Sequence, residues 1–463
     1  MEKITKSHSK VIDQRDLILP PSWIGNKEQI EPATEFHNYD QVFISGSDRA
    51  LSKKVISILD SAKEMAVICS FLLADQEIED AIIDSAKRGV RIYLMLASET
   101  RLDKEPGEDH FSQKVLAQHK SMLKRLGGKV LIRSAPHFHA KVILADPYTV
   151  DAKGFLLTAN LTKEAIERNE ELGVELTSNE IKETVVYLRW AIWESSDHEV
   201  LDSNNFNSVS PLNCVDYPDA ENTNIFFTSP KSTALKSKLL EVIGKSQSKI
   251  IITSFGWEKH HEVVTELCNK AKQGIEVTVL ARPRNSAMPA LIQLQSAGVK
   301  VLGYKWLHVK SIWTDQNEAL VMSANIEKHG LDTGFEIGVF LTDERQVLVL
   351  EALKHWISKA QIMLLNNPKI GEVDGQIKVW RNSSLDDVTV SRELTHKLKT
   401  FDVPNEQAID LEPKFPSPDY IEYPCHQVKY EWLNLVSKDK AKKNTKGLDQ
   451  SDQKKGLKFE LIS

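Results

Sequence analysis

The chain has only four cysteines in 463 residues, Cys69, Cys214, Cys268 and Cys425, and no two of them stand in a C-x-x-C spacing. That scarcity excludes a disulfide-stapled scaffold and gives no zinc-site pattern. No apolar run approaches the roughly 20 residues that a membrane span needs. The first residues, MEKITKSHSKVIDQRD, lack the apolar centre of a signal peptide, so the expected compartment is the cytoplasm, without integral membrane association. Positive charge is also short: the formal net charge is −6, so any contact with a polyanion has to come from a local basic groove. The remaining composition, 41% hydrophobic and 27% charged, is that of a folded globular protein long enough for two or three domains.

What is present is a repeat. Residues 137–176 read HFHAKVILADPYTVDAKGFLLTANLTKEAIERNEELGVEL, and residues 308–341 read HVKSIWTDQNEALVMSANIEKHGLDTGFEIGVFL. In both, a His is followed two residues later by Lys and seven residues later by Asp: His139, Lys141, Asp146 and His308, Lys310, Asp315. An Asn follows on a small-residue run, Thr158-Ala159-Asn160 and Ser323-Ala324-Asn325, with a Glu eleven residues beyond, Glu171 and Glu336. One such His-Lys-Asp spacing is a weak signal, whereas two with matched Asn and Glu are specific.

Each residue type has a chemical use. On an extended backbone residues i and i+2 project to one side, so each His and its Lys point together. Imidazole serves as nucleophile or general acid near neutral pH, and an ammonium beside it neutralises a phosphoryl oxygen. A carboxylate fixes the tautomer of a His, the part assigned to Glu171 and Glu336, with Glu170 as an adjacent rival to Glu171. The Asn amides and the hydroxyls of Thr158 and Ser323 are read as further donors to the same oxyanion. This set suits phosphoryl transfer.

The chain around the motifs alternates strand and helix twice. Strands are expected at residues 42–45, 65–71, 90–97 and 129–134, with helices at 49–62, 76–88 and 113–126; the same order returns from residue 225 to the strand before His308. Helices closing the halves are expected after caps at Asn179 and Asp343. This predicts an α/β architecture of two mainly parallel, helix-covered sheets related by a pseudo-two-fold. The expected divisions are an N-terminal arm (1–40), a first half (41–200), an Asn/Ser/Asp/Pro-rich linker (201–224), a second half (225–370), an appendage (371–436) and a mobile lysine-rich tail (437–463). Trp257 and His260 follow a strand end, where α/β proteins often place sites, and are candidate substrate contacts.

The paired His-Lys-Asp set resembles the signature of the phospholipase D superfamily over about 330 residues. The resemblance implies an internally duplicated phospholipase D-like fold and a site shared by the two halves. It further implies His139 as nucleophile forming a phosphohistidine, His308 as acid and then base, and Lys141, Lys310, Asn160 and Asn325 on the phosphoryl oxygens, with Asp146 and Asp315 structural. It requires no metal and no cofactor. The run TANLTKEAI is similar to the DNA-processing branch, which makes a nuclease or DNA phosphodiesterase the first expectation, with a nucleic acid substrate and, by analogy, an ATPase or helicase partner. The alternative is a phospholipase D or a cardiolipin-synthase-like lipid transferase.

Overall fold

The computed structural model describes residues 21–25, 35–38, 41–97, 113–201, 206–218, 224–284, 286–360 and 362–366; residues 376–385, 388–397, 421–423, 426–431 and 457–462 are described as backbone strands. Its frame is two large sheets with a common order. In the first, strands Leu131–Ala135, Arg91–Ala97, Met65–Cys69, Val142–Ala145, Lys153–Leu157, Leu172–Leu176 and Val42–Ile44 lie side by side. In the second, Lys300–Gly303, Glu276–Ala281, Lys249–Ser254, Ser311–Thr314, Glu318–Met322, Glu336–Leu341 and Ile225–Ser229 repeat that order position for position.

The sheets are mixed, which corrects the expectation of mainly parallel ones. Three strands of each are parallel, because a helix returns the chain between them. The four beyond them pair antiparallel, and in each half the two strands after the motif His are joined by a short turn with no crossover helix. Alternation before the His motifs therefore reads correctly, while the motif segments themselves form antiparallel ribbons.

Helices Ala50–Ser61 and Gln76–Lys87 cover the outer face of the first sheet, and Ala234–Lys245 and Glu262–Lys272 cover that of the second. Between the sheets lie helices Ser178–Trp190 and Arg345–Lys359, sharing one buried cluster that draws on both halves, with Trp190, Phe227, Phe335, Leu353 and Trp356 among its members. The cap of the first of these is Thr177, which with Glu180 makes a reciprocal capping box two residues earlier than the Asn179 expected from sequence. Asp343 accepts from Arg345 N at 3.0 Å. Arg345 then reaches the other half, with a two-pronged contact to Glu180 at 2.7 and 2.8 Å and a bond to Glu175 O at 2.7 Å.

The segments outside the repeat are used. Ser22–Gly25, from the expected arm, pairs with Ile362–Leu365 at the edge of the second sheet and buries Trp23. In the expected linker, Phe206–Ser208 adds an edge strand to the first sheet, and Tyr217 packs on Tyr187 and Trp190. Backbone strands from 376 to 462 form a separate five-stranded sheet, to which Leu457–Ile462 of the expected mobile tail contributes; residues 437–456 lie outside the described residues.

Between the halves Phe138 stacks on Phe335 with ring centroids 5.0 Å apart. Both are almost fully buried, so the interface is core and not a surface contact. Phe335→Ala should lower unfolding free energy by about 3–5 kcal/mol, whereas Val150→Ser, at a position 98% exposed, should change it by less than about 0.5 kcal/mol. Urea titration of the two variants checks this.

Candidate active site

The backbone builds the site before any side chain does. The segment entering each His pairs with the segment entering the Glu of the other half. His139 N donates to Phe335 O (2.9 Å) and Phe335 N to His137 O (2.7 Å), while His308 N donates to Glu170 O (2.9 Å) and Glu170 N to Trp306 O (2.8 Å). These two short ladders are related by the pseudo-two-fold and tie the sheets together at the groove.

The side chains follow. His139 Nδ1 lies 2.8 Å from Glu336 Oε1, and His308 Nδ1 lies 2.6 Å from Glu171 Oε1. Every His-Glu pair is thus made across the halves, because the residue before each Glu, Glu170 or Phe335, bridges to the motif segment of the other half. Glu170, the adjacent rival, turns away; its carboxylate accepts from Trp356 Nε1 at 2.9 Å.

Lys141 Nζ donates to the carbonyl of His139 (2.7 Å) and lies 3.1 Å from Nε2 of the same ring; Lys310 repeats this on His308 at 2.6 and 3.2 Å. Thr158 Oγ1 donates to Glu171 Oε2 at 2.6 Å, and Ser323 Oγ makes the same contact with Glu336. A hydroxyl has one proton, so these two are spent on the glutamates and do not donate to an oxyanion, which corrects their assignment as donors to the phosphoryl group. Asn325 Oδ1 accepts from Gly256 N at 3.3 Å, while the buried Asn160 Oδ1 has no hydrogen-bond partner among the described residues.

Other candidates are placed away from this chemistry. Asp146 accepts the backbone N–H groups of Lys63, Glu64 and Met65, all at 2.8 Å, and Asp315 accepts those of Gln247 and Ser248, so both close a turn behind the motif strands. Trp257 is 2% exposed in the core of the second half, with its indole N–H on Ser254 O. His260 occupies a left-handed turn (φ 64°) in which its backbone N–H meets Gln293. The sequence reading missed Phe71 and Phe255, whose rings stand edge-on to His139 and His308 at centroid distances of 5.0 and 4.5 Å. The repeated Ser-Phe dipeptide was the signal for them.

Burial is the largest influence on both imidazoles and holds their pKa values below the ordinary one, with the lysines adding to it and the paired glutamates opposing it. For the glutamates burial acts upward, but the imidazoles, lysines and hydroxyls outweigh it and keep both carboxyls low. At neutral pH the lowered values leave both imidazoles neutral, each with Nδ1 on a carboxylate and Nε2 beside the lysine of its own half. Lys141 reaches His308 electrostatically and Lys310 reaches His139, so the two sets form one site.

The phospholipase D-like character seen in sequence now has its counterpart among known proteins. A family model described as "Cardiolipin synthase, PLD-like domain" matches residues 55–193 and 239–358, more than half of the chain. The chain belongs to this family, within the phospholipase D superfamily. It is 26% identical over 230 residues to the probable cardiolipin synthase YwiE of Bacillus subtilis, covering 46% of this chain and 44% of that protein. It is 24% identical over 279 residues to cardiolipin synthase A of Buchnera aphidicola, covering 57% of each. The chain thus spans about half the length of these curated relatives. Phosphatidylserine synthase from Haemophilus influenzae Rd KW20 shares the fold, with a TM-score of 0.53 at 12% identity over 71% of this chain and 88% of that one.

The match overturns the nuclease expectation, and with it the nucleic acid partner and DNA binding. The physical reason is visible in the TANL run on which that expectation rested. Thr158 holds Glu171 and Leu161 pairs with Leu73, so these residues report the inner build of the fold and not the substrate. Among the described residues no helix is long and apolar enough to cross a membrane.

Burial pushes the Lys310 ammonium down to about 8 from its ordinary value, against the pull of Glu171, Glu336 and Glu327. Because the charged form is the useful one, activity should fall with an alkaline limb near pH 8 as Lys310 loses its proton. Lys310→Arg, which stays charged, should move that limb to higher pH; a pH–kcat/KM profile of both proteins checks it.

Proposed function

We propose that the protein is a phosphatidyltransferase of the cardiolipin-synthase type, which moves a phosphatidyl group from one alcohol to another through a covalent phosphohistidine. The observation that carries this is the crossed pair of His-Glu contacts: it supplies two neutral imidazoles of opposite orientation around one groove, one to attack and one to exchange the proton. The family match directs that chemistry to phospholipid.

In this reading Nε2 of His139 attacks phosphorus and the bond to the departing headgroup oxygen breaks. His308 gives that oxygen its proton. Its acid form arises when the anionic phosphodiester enters, since a negative charge nearby raises the pKa of an imidazole that burial had lowered. Glu171 and Glu336 then face imidazolium or phosphorylated imidazole and stabilise both. Lys141 and Lys310 meet the non-bridging oxygens, and the Asn160 amide is placed to join them. An entering alcohol reverses the sequence, with His308 as base.

Incubation of the full chain with phosphatidylglycerol vesicles in excess EDTA should give cardiolipin and free glycerol, because ammonium groups supply the charge that many phosphodiesterases draw from metal ions. Labelled DNA in a parallel tube should stay intact. His139→Ala should abolish both turnover and adduct. His308→Ala should lose about 10²–10⁴-fold in turnover yet accumulate acid-labile phosphate on the protein from a donor with a nitrophenolate leaving group. Adduct in the His139 variant alone would exchange the two roles, and DNA cleavage without lipid turnover would reject the reading.

A further inference from the structure

The two flanks of the site share a frame and differ in what fills it. Ser70 and Ser254 each donate to the carbonyl two residues on, Leu72 O at 2.5 Å and Gly256 O at 2.7 Å, and each accepts the N–H just after the motif Asn, from Leu161 and Ile326. This equivalence sets Leu72 against Gly256 and Thr162 against Glu327, and the parallel registers set Ala97 against Arg282. Beside His139 the filling is apolar: Phe71, Leu72, Ala97 and Val115 form a small buried cluster. Beside His308 it is charged. Arg284 and Arg282 lie over the Phe255 ring at 4.0 and 5.5 Å, and the Glu327 carboxylate lies against Gly256, where an added methyl would run into it. Its counterpart Thr162 is occupied as a helix cap on Ala165 N.

Displacement at phosphorus is in line, so the alcohol that leaves and the one that enters must stand opposite His139, on the His308 flank. A carboxylate there repels phosphoryl oxygens but accepts hydroxyl protons well. We propose that Glu327, seated over Gly256, accepts a hydrogen bond from a second hydroxyl of the departing or entering alcohol, and so selects acceptors that carry a neighbouring hydroxyl over monohydric alcohols and water. The inference rests on the phosphatidyl-transfer reading above. In the step concerned, one hydroxyl oxygen of the diol attacks phosphorus, the P–N bond to His139 breaks with its electron pair returning to Nε2, and the proton of the attacking hydroxyl passes to His308. The other hydroxyl stays on Glu327.

The test offers glycerol and 1-propanol together to the full chain acting on a phosphatidyl donor and reads the ratio of the two transfer products, from which any loss of folded protein cancels. The wild type should favour glycerol, and Glu327→Ala should lower the ratio by about 10- to 100-fold, the loss expected for one hydrogen bond to a charged group. Gly256→Ala, which displaces the carboxylate without removing it, should act in the same direction and serves if the first variant has no turnover. The groups facing Lys310 are His308, Glu171, Glu336, Glu327 and Arg282. Removing Glu327 should therefore also move the alkaline limb of activity to lower pH, which a role in packing alone would not do. A wild type that transfers phosphatidyl without preferring glycerol, or variants that transfer with an unchanged ratio, would overturn the inference alone. A wild type inactive on any phosphatidyl donor would overturn the lipid reading and this inference with it.

Discussion

The contact on which the rest depends is the imidazole–carboxylate pair made from one half of the chain to the other. Glu171 and Glu336 are almost wholly buried, and an ionised carboxylate in that position is costly unless it is paired and hydrogen-bonded. Each has both: an imidazole on one oxygen and a hydroxyl on the other. The hydroxyl is held in turn by the backbone, Leu172 N on Thr158 Oγ1 at 2.9 Å and Ile337 N on Ser323 Oγ at 3.0 Å. The polar centre is satisfied through a chain of donors anchored in both sheets, which is why it survives within an apolar core.

Around that centre the fold is arranged to keep the halves in register. The backbone bridges at Phe138 and Leu307, the stacked phenylalanines and the two-pronged Arg345–Glu180 contact all act across the same boundary. Two surfaces that bury aromatic rings against each other move little, and little movement is what an in-line displacement needs.

Much of this was legible in the sequence, for identifiable reasons. The His, Lys, Asp, Asn and Glu positions stand out because chemistry fixes their spacing in both copies, and the first strands and helices of each half read well because their apolar periodicity is strong. What was not legible was set by tertiary contact. Nothing in the order of residues says that Glu336 serves His139 and not His308, since spacing along the chain cannot reveal which sheet a segment faces. Thr158 and Ser323 were given to the substrate because a hydroxyl beside a phosphate pocket can donate to either neighbour. The antiparallel ribbons escaped because short turns with no helix were read as continuing a parallel sheet. The branch was misjudged for a related reason: the residues most alike to the DNA-processing members are those that hold the scaffold.

The crossing of the glutamates makes the protein, in effect, a symmetric dimer written as one chain. Neither sheet owns a working centre, so groove width, imidazole basicity and carboxylate desolvation are properties of the seam between them. Loosening that seam would weaken attack and proton exchange in the same motion. Sequence can differ on the two flanks of the site, and does so between Gly256 and Leu72 or Glu327 and Thr162, while the seam holds the two halves to a common geometry.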